Sequence, residues 1–192
     1  MHPVTKFLHS WRGRLRRGSS AAPAAASHAI SAQDLLCVEE VSAADFLAGA
    51  LFRRKFHVPP PDFPIHFVSF YRAAPADVSV IGYVHFSEFE DSYLCGGLVI
   101  DDRLYRRMPI AHREAIRNAG GIAEHLLRAG FARLAHAAAI WGYVGDTRAE
   151  RVDERVGFRR TDHPYVMVCW MRELSEADKR ARLSRVIALG AF

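Results

Sequence analysis

The chain has 192 residues, room for one ordinary domain with length to spare, and 50% of them are hydrophobic against 24% charged, the balance of a soluble globular protein. The formal charge of +5 sits in residues 1–33, where Lys6, Arg12, Arg14, Arg16 and Arg17 face no acidic residue; the 21 remaining basic residues match 21 acidic ones. A basic folded face for nucleic acid is therefore not expected, since phosphate binding needs several cations grouped on one surface, and no run approaches the roughly 18 apolar residues of a membrane span.

Residues 1–33 read as an arm, basic and then rich in Ala, Ser and Pro, that is solvated and flexible and offers the one route to nucleic acid or anionic lipid. Its Arg, Ala and Ser bias mildly resembles an organelle transit peptide, and the default compartment is the cytoplasm. A single domain is expected over residues 34–192. "LLCVEEV" predicts a strand, and Ser42 with Asp45 three residues later predicts a capped helix over residues 43–54. "VPPPDFP" stops that helix, because proline lacks a donor and restricts the residue before it.

"IHFVSFYRA", "DVSVIGYVHFSEF" and "YLCGGLVID" predict three consecutive antiparallel strands. Both faces of the middle one are apolar, with Val78, Val80, Val84 and Phe86 alternating with Ile81 and Tyr83, so helices must cover both sides. An inserted stretch follows, long enough for a loop and a helix over residues 111–119. Ala123, Leu126, Leu127, Gly130, Phe131 and Leu134 form one stripe of a helix over residues 121–134, with Glu124, His125, Arg128 and Arg133 off it. "AAAIWGYVG" predicts a strand and "DTRAERVDERV" a short helix stopped by Gly157. One or two strands bent at His163 and Pro164 come next, and an amphipathic helix from Ser175 ends the chain.

Cys37, Cys95 and Cys169 are odd in number and far apart, without a CxxC pair, and read as free thiols acting as small hydrophobes. The ten histidines show no metal-ligand spacing, so no metal site is expected.

The order strand, helix, three-strand meander, glycine-started helix, strand, short helix ending in Gly-Phe and final strands resembles the GNAT superfamily of acyl-CoA-dependent N-acyltransferases. The resemblance implies an α/β fold of the α+β kind, with a GNAT-like mixed, mostly antiparallel central sheet covered by helices on both faces. It covers residues 35–173 and is carried by two local matches. Asn118, Gly121, Ala123, Leu126 and Leu127 follow the family's cofactor signature, with Asn118 in place of its leading Arg or Gln. Asp146, Ala149, Val152, Gly157 and Phe158 follow its second motif, with Asp153 where the family has a tyrosine.

From the resemblance, acetyl-CoA or another acyl-CoA is the expected cosubstrate, and a small-molecule or peptide amine the acceptor. Gly120, Gly121, Ile122 and Ala123 would hold the pyrophosphate with Asn118, Leu98, Val99 and Ile100 the pantetheine arm, and Asp146 would be a further cofactor-binding residue. The family's tyrosine is commonly the general acid for the leaving thiolate. An ionised Asp153 cannot donate that proton unless burial raises its pKa, and Tyr143 is the other candidate. Glu88, Glu90 and Asp91, at the central hairpin turn, offer negative charge for a base, with Glu90 the named candidate; a solvated turn explains them too. Arg103, Arg106 and Arg107 offer contacts to the 3′-phosphate or remain solvated.

Three readings stay open. The two glycines of "RNAGGIAEHLL" either cradle a phosphate on free backbone N–H groups or only separate two helices. The chain is either an N-acyltransferase or a non-catalytic module of the same fold that binds a coenzyme A derivative or a protein. Gly96 and Gly97 mark a bulge or a close approach.

Overall fold

The computed structural model describes residues 30–62 and 65–192. A short helix α1 (Ala32–Leu35) capped by Ser31 leads into β1 (Leu36–Val41), and α2 (Ala44–Phe56) follows. Then come β2 (Ile65–Ala74), β3 (Asp77–Phe89) and β4 (Ser92–Ile100). Helices α3 (Asp102–Arg107), α4 (Ile110–Asn118) and α5 (Ile122–Arg133) precede β5 (Ala139–Tyr143) and α6 (Thr147–Val156). The chain closes with β6 (Arg159–Arg160), β7 (Val166–Trp170) and α7 (Glu176–Leu189). Most of the arm expected over residues 1–33 lies outside the described residues.

The seven strands form one sheet in the order β1-β2-β3-β4-β5-β7-β6. Every neighbouring pair is antiparallel except β4 with β5, as expected of a mixed, mostly antiparallel sheet. Helices cover both faces. On one face α1, α4, α5 and α6 contribute Leu35, Ile116, Leu126, Leu127 and Val156 to a core with Ile81, Val84, Phe86 and Ile140. Each fully buried aliphatic side chain there contributes about 1.5–3 kcal/mol. On the opposite face α2 packs on Val68, Tyr83 and Val99, and α7 packs Val186 on Trp141 and Val168.

Two helix starts differ from expectation. Helix α2 is capped by Ala43 without a side-chain bond, so the Ser42 capping pattern is not used. Helix α3 was not foreseen within the insertion; the Asp101 carboxylate caps it, accepting from the N–H groups of Arg103 and Leu104 at 3.0 Å each. Among the described residues no helix is long and apolar enough to cross a membrane, and no group of three or more His, Cys, Asp or Glu converges as a metal site.

Candidate active site

The parallel pairing of β4 with β5 is short: Tyr93, Leu94 and Cys95 face Ile140, Trp141 and Gly142, and there it ends. The cause lies on the other edge of β4. Its register with β3 moves from His85↔Gly96 to Tyr83↔Val99, so Gly97 and Leu98 together oppose Val84. This bulge turns β4 away from β5. Gly97 adopts φ 63°, and a Cβ there would lie 2.6 Å from the His85 ring and from Phe52. Only glycine fits both the conformation and the space.

Where the strands part, a cleft of about 310 Å³ opens, bounded by Gly96, Gly97 and Leu98 on one side and Gly142 to Asp146 on the other. It passes through the sheet: Asp153 of α6 borders it from one face, while Lys55 and Phe56 of α2 border it from the other. A second cavity of about 240 Å³ lies between Ile100, Val152 and the start of α5 at Gly120, Gly121, Ile122 and Ala123. The end of β4 and helix α6 border both, so one extended ligand can follow the strand from one to the other.

Gly120 and Gly121, with φ 99° and 89°, close α4 in a Schellman arrangement: Gly121 N–H donates to Ile116 C=O at 2.9 Å and Gly120 N–H to Arg117 C=O at 3.1 Å. Both glycine donors are consumed in ending one helix. The donors of Ile122, Ala123 and Glu124, the first turn of α5, have no protein acceptor among the described residues. They add to the positive helix end beside the second cavity, a place that suits a phosphate.

Helix α6 is bound to that turn through a buried carboxylate. Glu124, expected off the buried stripe, is 8% exposed, with Arg128 donating to it at 2.7 Å and Arg155 at 3.0 Å. Burial opposes its ionisation, yet the hydrogen bonds from Arg155 and Arg128 prevail and hold the carboxyl below its ordinary range. Arg155 also donates to Gly120 C=O at 3.3 Å.

Asp153 is 6% exposed, and its carboxyl has neither a hydrogen-bond partner nor an ion pair among the described residues. Burial, with Glu150 adding to it, pushes its pKa up to about 7. Near neutral pH a substantial share of this carboxyl carries a proton. Tyr143 borders the same cleft, packed against Tyr165 and Phe192 with ring centroids 5.5 and 5.9 Å away. Asp146 also borders it and caps α6 by accepting from Arg148 N–H at 2.6 Å. Burial pushes the Cys95 thiol far up, which leaves it a poor nucleophile.

Among the expected contacts, Leu98 borders the cleft and Ile100, Gly120, Gly121, Ile122 and Ala123 the second cavity. Val99 offers only backbone on the open edge of β4, its side chain packing under α2 on the opposite face. The structure does not bring two others there. Asn118 is exposed at the end of α4 and borders neither cavity. Glu90, at φ 57° in the hairpin turn, pairs with Arg185 of α7 at 2.8 Å, away from both. Asp91 is likewise taken, by Arg172 and Arg182.

Sequence reading missed one buried polar chain. His66 Nδ1 lies 2.7 Å from Tyr83 Oη, which lies 3.3 Å from His85 Nδ1. His66 and His85 are direct cross-strand partners. The alternation of Tyr83 and His85 in "GYVHF", opposite the Gly96-Gly97 pair, was the available signal.

No protein-family model matches the chain, and no curated protein matches it in sequence. In fold it is similar to the ribosomal-protein-S18-alanine N-acetyltransferase from Escherichia coli, at 13% identity over 74% of this chain and 97% of that one, with a TM-score of 0.49. It is similar to the N-acetylglutamate synthase from Neisseria gonorrhoeae complexed with coenzyme A and L-arginine, at 10% identity over 72% of this chain and 34% of that one, TM-score 0.48. A GNAT family acetyltransferase from Brucella melitensis in complex with acetyl-CoA is similar at 16% identity, covering 73% and 90% of the two chains, TM-score 0.46. By its own element order and sheet pairing, the fold is of the GNAT type.

Proposed function

We propose that the chain is an acyl-CoA-dependent N-acyltransferase that moves an acetyl or similar group to an amine acceptor. The carrying observation is Asp153: a buried carboxyl without a protein partner, facing the cleft that opens where β4 leaves β5. A surface ion pair or a solvated turn leaves no carboxyl in that state, because burying an unpaired charge is costly and the group takes up a proton instead.

The free N–H groups of Ile122, Ala123 and Glu124 fit a pyrophosphate, and β4 from Gly96 to Ile100 has a ladder edge, unpaired toward β5, that fits the amides of a pantetheine arm. A bound acyl-CoA supplies an activated thioester. The strand edge aligns that thioester, and a backbone N–H aimed at its oxygen stabilises charge developing there. Asp153, which burial leaves partly protonated near pH 7, donates to the departing sulfur, and Tyr143 is the second donor bordering the same cleft. A non-catalytic module is favoured by the missing tyrosine and by the insertion ahead of the glycine turn; a partly protonated Asp153 answers the first of these.

Thermal denaturation with acetyl-CoA tests binding, because ligand at a hundred times its dissociation constant stabilises by about 2.7 kcal/mol. Release of free thiol with a panel of amines tests transfer. Asp153→Asn is expected to keep acetyl-CoA binding and to lose about 10²-fold or more in thiol release. Absence of any stabilisation by millimolar acetyl-CoA overturns the reading.

A further inference from the structure

We propose that the acceptor amine carries an anionic group, a carboxylate or a phosphate, which Arg103 and Arg106 of α3 and Lys55 of α2 hold in a cavity beside the cleft. The proposal rests on the acyltransferase reading and deepens it by naming the class of acceptor.

The cavity has a volume of about 200 Å³ and lies where α2, the end of β4 and α3 meet. Leu51 and Val99 in its lining belong to the core under α2, so it opens on the α2 face of the sheet, opposite the first turn of α5. Lys55 borders both this cavity and the cleft, so one acceptor can reach from the parting of β4 and β5 into it. From Gly97, at the parting, to Ile100, at the cavity, β4 rises about 10 Å.

The walls of this cavity are cationic. Arg54, Lys55, Arg103 and Arg106 border it, with Asp101 and Asp102 as the acidic groups. Asp101 is already committed: its carboxylate caps α3 and accepts from Arg54 at 2.7 Å. Burial opposes its ionisation, yet the Leu104 N–H and the Arg54 guanidinium prevail and hold the carboxyl below its ordinary range. Asp102 is exposed and makes no ion pair among the described residues. The guanidinium groups of Arg103 and Arg106 and the Lys55 ammonium likewise have no hydrogen bond or ion pair there. Arg103 and Arg106 stand three apart on one helix face, where like charges repel, and Lys55 joins them from α2. An anion between the three relieves that repulsion, and the apolar floor of Leu51, Val99 and Ile100 strengthens the field it meets. The planar fork of arginine matches the oxygens of a carboxylate or a phosphate.

Ile100 and Asp102 border this cavity and also the one beside α5, so the 3′-phosphate of the coenzyme is the rival occupant. The face of the sheet decides between them. The free donors that fit a pyrophosphate lie at the start of α5, and the arginine bordering the cavity there is Arg117. Arg103 and Arg106 border only the cavity on the α2 face. Helix α3 lies in the stretch inserted between β4 and the glycine turn, and the insertion thereby sets two arginines beside the acceptor's path. With its anion fixed there, the acceptor extends along β4 and its amine reaches the parting of the strands.

The test uses the whole chain, acetyl-CoA and three acceptors of matched length: 8-aminooctanoate, 8-aminooctyl phosphate and the neutral 8-aminooctanamide. Read from thiol release, kcat/KM is expected to be about tenfold higher for the carboxylate or the phosphate than for the amide, and the better of the two names the anion. Raising salt from about 0.05 to about 0.5 M should shrink this preference, because screening weakens exposed charge pairs. Arg103→Gln combined with Arg106→Gln is expected to raise the KM of the preferred anion about tenfold with kcat within twofold, and to bring its preference over the amide below twofold. Lys55→Gln is expected to lower that preference about threefold. A double variant whose KM rises for acetyl-CoA but not for its 3′-dephospho form assigns the arginines to the coenzyme and overturns the proposal. So does a wild type that uses neither anion better than the amide. A wild type that releases no thiol with any amine overturns the acyltransferase reading and the anionic acceptor with it.

Discussion

Gly97 and Gly121 both have positive φ, but they constrain the chain differently. At Gly121 a Cβ would meet nothing within 4 Å, so alanine there suffers only the backbone penalty of the glycine-only conformation at φ 89° and ψ 167°, about 1–3 kcal/mol. At Gly97 a positive-φ penalty is joined by contact with the His85 and Phe52 rings, and overpacking of this kind costs about 1–3 kcal/mol more. Urea denaturation should therefore find Gly97→Ala clearly less stable than Gly121→Ala. The pair of glycines at residues 120 and 121 was read in the sequence as serving a phosphate or a helix stop. Backbone bonding shows why composition left this open: both glycines end α4 with their own N–H groups, and the donors free for a ligand begin one residue later, at Ile122. Glycine signals a permitted conformation, while the fate of each N–H depends on the carbonyl three or five residues behind it.

At the scale of elements, periodicity placed α5 and its neighbours well, because an apolar stripe reports which face is buried. It could not report what polar group another element brings to that face. Glu124 is buried since Arg155, from α6, reaches it across a gap of 31 residues, and nothing local encodes that meeting. The capping pattern at Ser42 failed similarly, as α2 starts at Ala44 with its first turn set by packing on β3 and β4 instead of a side-chain cap. The Arg155 link has a functional corollary. Its side chain is half exposed and Glu124 keeps Arg128, so Arg155→Ala should reduce stability by only about 1 kcal/mol. The same change frees the Gly120 carbonyl and uncouples α6 from the first turn of α5, so acetyl-CoA affinity should fall about tenfold, or about 1.4 kcal/mol. Isothermal titration alongside urea denaturation separates the two effects; a loss of stability with acetyl-CoA affinity unchanged would assign Arg155 to stability alone.

Across the whole molecule, two buried groups on opposite faces of the sheet give opposing pH dependences. The His85 pKa falls from 6.5 to about 4 on folding, so the stability present above pH 6.5 is lost as pH falls toward 4, by about 3 kcal/mol. The lowered pKa of His66 acts in the same direction. The Asp153 pKa rises from 3.8 to about 7, so the folded state is unpenalised below pH 3.8 and loses stability as pH rises to 7, by about 4 kcal/mol. Between pH 4 and 6.5 the slopes from His85 and Asp153 oppose and nearly cancel, and the parent protein should show weak pH dependence there in urea denaturation. Asp153→Asn removes one slope: stability should then climb from pH 4 to 6.5, with the variant several kcal/mol more stable than the parent at pH 8 and equal to it near pH 4. His85→Gln removes the other, leaving stability to decline as pH rises through the same window. A parent curve that climbs steeply from pH 4 to 6.5 would mean that Asp153 ionises freely in the fold, and the carboxyl could no longer serve as the proton donor of the cleft.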